Sequence, residues 1–232
     1  MRAPIPENEL QRINALHRYQ VLDTAPEQAF DDITKLASFI CQAPVALVTL
    51  IDSDRQWFKS KLGIQGSECP REQAVCAHTI LEPDTLVVED LLADNRFSDN
   101  AAIKAEHLRF YAGAPLITPD HYALGAVCVL DRQPRKLTEE QSAALKQLAR
   151  LVVNLLELRR ASAALAEALS SVKTLSELLP ICSYCKSIRD DKGYWDRVEG
   201  YIQDHTDAKF SHGICPDCLK QHFPEIAATQ AT

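Results

Sequence analysis

Two C-x-x-C pairs near the end of the chain carry the clearest chemical signal in this sequence. Each pair places two thiols on one short turn, and four thiolates can hold a zinc ion with the tetrahedral geometry that it prefers. A closed site of this kind leaves no position for a catalytic water. The sequence therefore predicts one structural zinc per chain, bound by Cys182, Cys185, Cys215 and Cys218. A thiol–disulfide switch and reduced cysteines without a role are the alternatives.

A second set of candidate residues lies in the first half of the chain. The segment Cys76-Ala77-His78 combines a thiol and an imidazole, which could bind a metal, an oxidant or a chromophore, although burial on a helix is the simpler interpretation. An arginine can pair with an acidic ligand, and aromatic side chains can stack on a ligand or simply pack on a sheet. The predicted candidates for a ligand pocket are Trp57, Cys76, His78, Arg109 and Tyr111.

The remaining cysteines differ in their settings. Cys69 lies in the polar loop GSECPREQ and is expected to be more exposed than the others. Cys128 lies in an apolar strand pattern and Cys41 at the end of a predicted helix, so neither is expected to react. An enzyme or redox sensor that used pocket cysteines would therefore depend on Cys69 or Cys76.

Composition and charge exclude some classes of partner. Of 232 residues, 46% are hydrophobic and 25% charged, values typical of a chain that buries a core. The formal net charge of −7 argues against nucleic acid, since neutralising phosphates needs clustered Lys and Arg. No apolar stretch approaches the roughly 18–20 residues of a membrane span, and the start lacks the apolar segment of a secretion signal. We therefore expect a cytoplasmic protein with no nucleic-acid or membrane partner.

The elements that position these residues follow from the hydrophobic pattern. Apolar residues at three- and four-residue steps over 30–40 predict an amphipathic helix. The β-branched run at 44–52 predicts a buried strand, and similar runs follow at QWFKSKL, TLVVEDL, RFYAGAPLI and ALGAVCVLD. This order of helix, strands and closing helix indicates an α+β fold with one central, largely antiparallel sheet.

Residues 137–179 contain no glycine or proline and are rich in good helix formers, so they predict one long helix. Alternating steps of three and four residues from Leu148 trace an apolar seam that only Ser162 and Ser176 interrupt. A domain of this size cannot bury so long a seam, whereas a parallel coiled coil buries it. We therefore predict a homodimer through residues 137–179. In the simpler alternative, the first half packs on the sheet and the second half is a surface helix.

The first part of the chain carries the motifs LDT at 22–24, PVALV at 44–48, DRQWFKS at 54–60, CAH at 76–78 and RFYAGAPL at 109–116. In their order and spacing these motifs resemble the GAF domain family, in particular GAF domains attached to bacterial histidine kinases and cyclic-di-nucleotide signalling enzymes. The resemblance covers roughly residues 5–158. It implies a six-stranded antiparallel sheet with helices on both sides and a ligand cavity on one face.

The tail, with its two C-x-x-C pairs and Trp195, is similar to a short module at the C-termini of bacterial PAS, GAF and receiver-domain proteins. This likeness implies a signalling context and no particular activity. The predicted organisation is a GAF sensor domain over 1–136, a closing helix continuing into a dimerising coiled coil over 137–179, a four-cysteine zinc module over 180–226 and a disordered tail over 227–232.

The favoured function is non-catalytic signal transduction. The GAF domain would sense a small molecule, and the coiled coil would relay its state to a zinc module that contacts a signalling partner. No kinase, cyclase, phosphodiesterase or receiver segment fits after residue 179, so we expect the output to pass through protein contact. The alternatives are a GAF-type redox enzyme, such as a free-methionine sulfoxide reductase, a thiol redox sensor that uses pocket cysteines, and a structural oligomerisation module without a ligand.

Overall fold

The computed structural model describes residues 2–176, 180–190, 192–205, 209–211 and 213–225. The chain divides into two compact units, Met1–Ala166 and Glu167–Thr232. The end of the long helix at residue 179 and the tail at 227–232 fall outside the described residues, and the domain boundaries at residues 136 and 179 stay predictions.

The first unit is built on a six-stranded antiparallel sheet. Its strands are β1 (Val45–Ile51), β2 (Arg55–Leu62), β3 (Glu68–Pro70), β4 (Leu86–Val88), β5 (Phe110–Ile117) and β6 (Ala123–Asp131). Their spatial order is β3-β2-β1-β6-β5-β4. The central strands β1 and β6 are buried along nearly their whole length, because structure covers both faces of the sheet. This confirms the α+β fold with a central antiparallel sheet.

One face of the sheet is covered by longer helices. They are α1 (Glu9–Arg18), α2 (Gln28–Cys41) and the first part of α5 (Glu139–Ser176). The apolar positions of α2 and α5 pack on alternate strand residues to form a continuous core, with Phe30, Ala37, Val48, Val127, Leu145 and Val152 among its members. The amphipathic helix predicted over 30–40 is α2, and its apolar stripe faces this core.

The opposite face is covered by shorter elements. They are a 3-10 turn at Arg71–Gln73, α3 (Cys76–Thr79) and α4 (Ala101–Ala105). The second core lies between them and the sheet and includes Val45, Leu47, Val75, Phe97, Ile103 and Leu130. Short helices joined by loops leave more space beside the sheet than long, regular helices do, and the cavity described below lies on this face.

The long helix α5 spans Glu139–Ser176 and confirms the uninterrupted helix predicted from the sequence. Its first half buries Leu148 and Leu156, whereas several seam positions beyond Leu148 point outward. Leu151 is 49% exposed, Leu158 is 64% exposed, and Leu165 and Leu169 are both 61% exposed. Exposed leucines at this spacing fit the predicted coiled-coil seam, and the homodimer stays a prediction. Among the described residues, no helix is both long enough and apolar enough to cross a membrane.

The second unit has small elements, and its described residues form almost no core. A two-stranded hairpin of β7 (Ile188–Arg189) and β8 (Trp195–Asp196) precedes α6 (Val198–His205) and α7 (Pro216–His222). Ile188 is the single buried residue among those described between positions 180 and 225. Aromatic side chains that could have formed a core are exposed, including Tyr184 at 96% and Tyr194 at 73%. A unit of this size with so little buried apolar surface needs stabilisation from another source.

Candidate functional site

A cavity of about 170 Å³ lies between the sheet and the short helices α3 and α4. Apolar side chains of both layers form most of its wall. Its polar lining consists of Gln56, Gln65, Glu68, Cys69, Gln73, Cys76, Glu106, Tyr111 and Cys128. None of the described side chains that line it is a lysine or an arginine. The cavity reaches the surface, because the lining residues Gln65 and Glu68 are exposed.

Strand β2 contributes to the cavity and to the helix-covered face at once. Gln56 and Phe58 line the cavity, whereas Trp57 lies in the core under the longer helices. The pairing with β1 shifts between Val48 and Thr49, which leaves Lys59 as an extra residue in β2. A bulge of this kind sends two neighbouring residues toward one side of a sheet. Lys59 and Ser60 accordingly both contact residues of the helix-covered face, Glu27 and Thr34, and Phe58 stays at the cavity.

The side-chain amide of Gln56 is the least satisfied polar group of the cavity. Gln56 is 4% exposed, and its Oε1 atom has no hydrogen-bond partner in the described part of the chain. A buried acceptor that lacks a donor costs about 1–3 kcal/mol. An N–H or O–H group in the cavity would remove that cost, so Gln56 is suited to fix one end of a ligand.

Two thiols, a phenol and a hydroxyl meet at the inner end of the cavity. The Sγ atoms of Cys76 and Cys128 are 3.6 Å apart. The Tyr111 hydroxyl donates to Cys76 Sγ at 3.2 Å and lies 2.6 Å from the Thr79 hydroxyl. Because a phenol has one proton, Thr79 must donate to Tyr111 when Tyr111 donates to Cys76. The four side chains form one connected network.

This network shifts the ionisation of its two thiols in opposite directions. Burial raises the pKa of Cys76, but hydrogen bonds from Cys128, Thr49 and Tyr111 outweigh it, so the pKa of Cys76 lies below its ordinary value. The pKa of Cys128 is raised well above its ordinary value by its hydrogen bond to Cys76 and by burial. A negative charge in this pair is therefore held on Cys76.

The absence of a side chain at Gly113 leaves space for the ring of Tyr111. A Cβ atom at Gly113 would lie 2.2 Å from the Tyr111 hydroxyl oxygen, which is far inside van der Waals contact. Residues two apart on a strand point to the same face, so the ring can lie along the sheet only where residue 113 has no side chain. Gly113 thereby allows the hydroxyl of Tyr111 to reach Thr79 and Cys76.

Two of the five residues predicted for the pocket, Cys76 and Tyr111, line the cavity. Trp57 points to the other face of the sheet, because side chains alternate along β2. His78 lies on α3 but packs edge-on against Phe97, with ring centroids 4.8 Å apart. Neither Trp57 nor His78 is part of the cavity wall.

Arg109 is the third predicted residue that lies elsewhere. It directly precedes β5, where its guanidinium binds the Asp90 carboxylate with an Nε–Oδ1 distance of 2.8 Å. That contact lowers the pKa of Asp90 below its ordinary value. The arginine is paired within the protein and does not present its charge to the cavity.

Ion pairs of Glu27 with a buried lysine and a partly exposed arginine connect β2 to the long helix. The Lys59 ammonium group is fully buried and contacts the Glu27 carboxylate at 2.6 Å. Arg159 of α5 binds the same carboxylate oxygen. Burial raises the pKa of Glu27, but Lys59 and Arg159 outweigh it, so that pKa lies below its ordinary value. Glu27 thus joins a strand that lines the cavity to the helix that leaves the domain.

The two cysteine pairs of the second unit each form a local turn. The Cys182 amide donates to the Ser187 carbonyl at 2.8 Å, and the Lys186 amide donates to the Cys182 carbonyl at 3.0 Å. Hydrogen bonds from Ser187 lower the pKa of Cys185 to about 7. Cys215 is the N-cap of α7, where its sulfur accepts the Cys218 amide at 3.5 Å.

The two turns are not joined into one ligand set. Within the described ranges, no three His, Cys, Asp or Glu side chains lie close enough together to hold a metal ion. The donor chemistry of each pair suits zinc, since N–H···S contacts stabilise thiolates at turns. Each turn is therefore half of the expected site, and the zinc bound by Cys182, Cys185, Cys215 and Cys218 stays a prediction.

A six-stranded antiparallel sheet with helices on both faces and a cavity under the short ones defines a class of compact α+β domains. Within this class, the chain belongs to the GAF domain family, which matches residues 25–156, more than half of its length. The chain is also 38% identical over 152 residues to a cyclic di-GMP phosphodiesterase of Pseudomonas aeruginosa. That match covers 65% of this chain but only 26% of the relative, so the chain spans about a quarter of that protein.

Solved structures share the fold at low identity. A domain of a two-component sensor histidine kinase protein of Sinorhizobium meliloti has a TM-score of 0.50 and 15% identity, covering 61% of this chain and 98% of that domain. A bacteriophytochrome of R. palustris has a TM-score of 0.53 and 10% identity, covering 75% of this chain and 42% of that one. Likeness at these identities supports a shared fold and carries no information about the ligand.

Proposed function

We propose that this protein is a non-catalytic sensor whose GAF domain binds a small molecule in the cavity beside α3 and α4. The observation that carries the proposal is the buried, unpartnered Oε1 atom of Gln56 in the wall of a cavity that reaches the surface. Membership of the GAF family gives the signalling context. The cytoplasmic location stays part of this proposal.

The lining of the cavity restricts the chemistry of the ligand. Phosphate and carboxylate ligands are usually held by Lys or Arg, and no such residue is among the described ones that line it. At about 170 Å³, the cavity is smaller than the roughly 300–1,000 Å³ of drug-sized sites. We infer a small ligand, neutral or cationic, mostly apolar, with one N–H or O–H group that donates to Gln56.

The relative from Pseudomonas aeruginosa acts, by its name, on cyclic di-GMP. We infer that this chain shares a cyclic-di-nucleotide signalling context, whereas its own cavity is too small and lacks the cations to bind such a dinucleotide. The ligand that the cavity binds and the cyclic di-nucleotide of the signalling pathway would then be different molecules.

The proposed relay runs from β2 to α5. Phe58 lines the cavity, and the next residue, Lys59, binds Glu27, whose carboxylate also binds Arg159 of the helix. A ligand that displaces β2 changes the energy of this contact and so favours one position of α5 over another. Two copies of α5 paired through the exposed leucines would carry the change to the second unit as a homodimer.

In this proposal the second unit contacts a signalling partner once zinc has joined its two cysteine turns. The support is its exposed aromatic surface and its near lack of a core, for which a structural metal would substitute. Elemental analysis of protein purified under reducing conditions should give one zinc per chain. Replacing Cys182 with Ser should abolish zinc binding and unfold the second unit, while the GAF domain keeps its unfolding transition. A wild-type chain that contains no metal would refute the zinc prediction.

The ligand proposal is tested with Gln56→Leu, which removes the acceptor and keeps a similar volume. Native mass spectrometry would identify molecules that co-purify with the wild-type chain, and thermal-shift titration would measure their affinity. We expect Gln56→Leu to weaken binding by about tenfold, the effect of losing one hydrogen bond of about 1.4 kcal/mol. Gln65→Leu, at the exposed rim, is the matched control and should bind normally. Tight binding of cyclic di-GMP in the cavity would contradict the inferred ligand class.

An enzyme is the second candidate, because three cysteines line one cavity: Cys69, Cys76 and Cys128. A reductase of free methionine sulfoxide would consume a dithiol and lose its turnover in Cys76→Ser. If neither epimer of the sulfoxide is turned over, the reductase is excluded and the sensor remains the favoured function. A structural oligomerisation module is the third candidate, and it predicts that no small molecule binds at all.

A further inference from the structure

The thiols of Cys76 and Cys128 are placed to bond to each other. Cys76 opens the four-residue helix α3, Cys128 lies in the central strand β6, and their sulfurs are 3.6 Å apart. A disulfide bond is about 2.05 Å long, so the sulfurs need to approach by about 1.6 Å. One of the two partners lies on a single short turn, and a small displacement of that turn would close the gap.

The surroundings give the two thiols different roles. The Tyr111 hydroxyl, itself bonded to Thr79, donates to Cys76 and stabilises a negative charge there. Cys128 makes its sulfur contact with Cys76 and keeps its proton. The nucleophilic form of a cysteine is its thiolate. Cys76 is therefore the better nucleophile of the two, and Cys128 is its protonated neighbour.

The cavity supplies access to this otherwise buried pair. Both sulfur-bearing residues line it, and it reaches the surface at Gln65 and Glu68. Cys69 lines the same cavity, but burial, the nearby Cys76 and Glu68 raise its pKa to about 12. Cys69 is thus protonated under conditions in which Cys76 can react, although it lies in the less buried position.

We propose that Cys76 and Cys128 form a reactive thiol pair that a small hydroperoxide oxidises to a disulfide through the cavity. The Cys76 thiolate attacks the nearer peroxide oxygen, the O–O bond breaks, and the departing oxygen takes up a proton to leave as water or an alcohol. Cys76 is now a sulfenic acid. Cys128 attacks its sulfur, and the hydroxyl leaves with the Cys128 proton as water. Two thiols have lost two electrons, and the peroxide has gained them.

The product would change the sensor itself, whatever ligand the cavity takes. The disulfide would tie α3 to β6 and turn the Cys76 sulfur, which accepts the Tyr111 hydrogen bond, into a neutral and weaker acceptor. Both changes occur in the cavity wall, so oxidation should alter the affinity for a molecule bound there. A dithiol would reverse the reaction by exchange and restore the reduced wall.

The test uses the reduced full-length chain and a stoichiometric amount of hydrogen peroxide. After alkylation under denaturing conditions, peptide mapping without reduction should find Cys76 linked to Cys128, and dithiothreitol should remove the link. In Cys128→Ser the second step is blocked, so dimedone should trap a sulfenic acid on Cys76. Recovery of Cys76 and Cys128 in alkylated form, with the oxidation on other cysteines, would overturn the proposal.

Two further variants keep the test decisive if Cys128→Ser is unstable. Tyr111→Phe keeps the ring and removes the donor to Cys76, so it should slow formation of the link by about tenfold, the effect of one pKa unit. Cys69→Ser is the control and should form the link at the wild-type rate. An unchanged rate in Tyr111→Phe, or loss of the link in Cys69→Ser, would show that the assigned residues are wrong.

Discussion

Lys59 offers a direct test of how β2 is held against the helices. Its ammonium group contacts the Glu27 carboxylate at 2.6 Å, the Thr24 hydroxyl at 2.8 Å and the Ala25 carbonyl oxygen at 2.9 Å. Replacing Lys59 with Met keeps most of the apolar stem and removes all three contacts. The protein should lose stability without losing core volume.

The size of the loss follows from the burial of each partner. Removing one member of a buried ion pair costs about 3–5 kcal/mol when the other charge is stranded. This cost is smaller for Glu27, because Glu27 is 37% exposed to solvent and still pairs with Arg159 in the variant. The lost bonds from a charged group to the neutral acceptors still contribute roughly 1.5–3 kcal/mol. We expect Lys59→Met to lower the free energy of unfolding by about 3 kcal/mol, or roughly 6–12 °C in the unfolding midpoint.

Urea unfolding followed by circular dichroism would measure the loss. Lys61→Met is the matched control, because Lys61 lies on the same strand with an exposed side chain. Because the pKa of Glu27 is lowered in the folded protein, the ion pair stabilises the fold at pH values above the ordinary pKa of a glutamate. This stabilisation is lost as the pH falls and Glu27 is protonated. The gap between wild type and Lys59→Met should therefore narrow in acid. Equal midpoints for Lys59→Met and Lys61→Met at neutral pH would refute this reasoning.

Two other predictions concern the ring of Tyr111 and the long helix. Gly113→Ala should cost about 1–3 kcal/mol because its Cβ atom collides with Tyr111, and combining it with Tyr111→Phe should recover part of the loss in thermal unfolding. Changing Leu165 and Leu169 together to Asp should place charges in the coiled-coil seam and give a monomer by light scattering, whereas a dimer of unchanged mass would contradict the seam.

The sheet could be predicted because its central strands are buried on both faces and therefore have continuous apolar sequences. The run at 44–52 and the run ALGAVCVLD became β1 and β6 for this reason. Strand β3 was not predicted, since its three residues lie in a polar loop and pair with β2 only through the fold. Helix α5 was predicted from composition and the lack of helix breakers.

The cavity was harder to predict, because its residues meet only after the sheet has formed. Gln56 and Trp57 are neighbours, and their sequence does not say which of them faces the cavity. The sequence RQWFKSKL of β2 does not alternate polar and apolar residues, and the bulge at Lys59 also breaks the two-residue period of a strand. Cys128 was expected to be inert, and its contact with Cys76 spans 52 residues of chain.

A single strand serving both faces gives the sensor a way to couple its cavity to its helix. Phe58 and Lys59 are adjacent, so a shift of β2 that accommodates a ligand at Phe58 also moves the ammonium group that holds Glu27. Coupling requires that the ligand bind the shifted and unshifted states with different affinity, since equal affinity changes no population. If β2 carries the coupling, Glu27→Gln should leave the cavity intact and weaken the response of α5 to ligand. If the response persists unchanged in Glu27→Gln, the signal reaches α5 through the packed core and not through this ion pair.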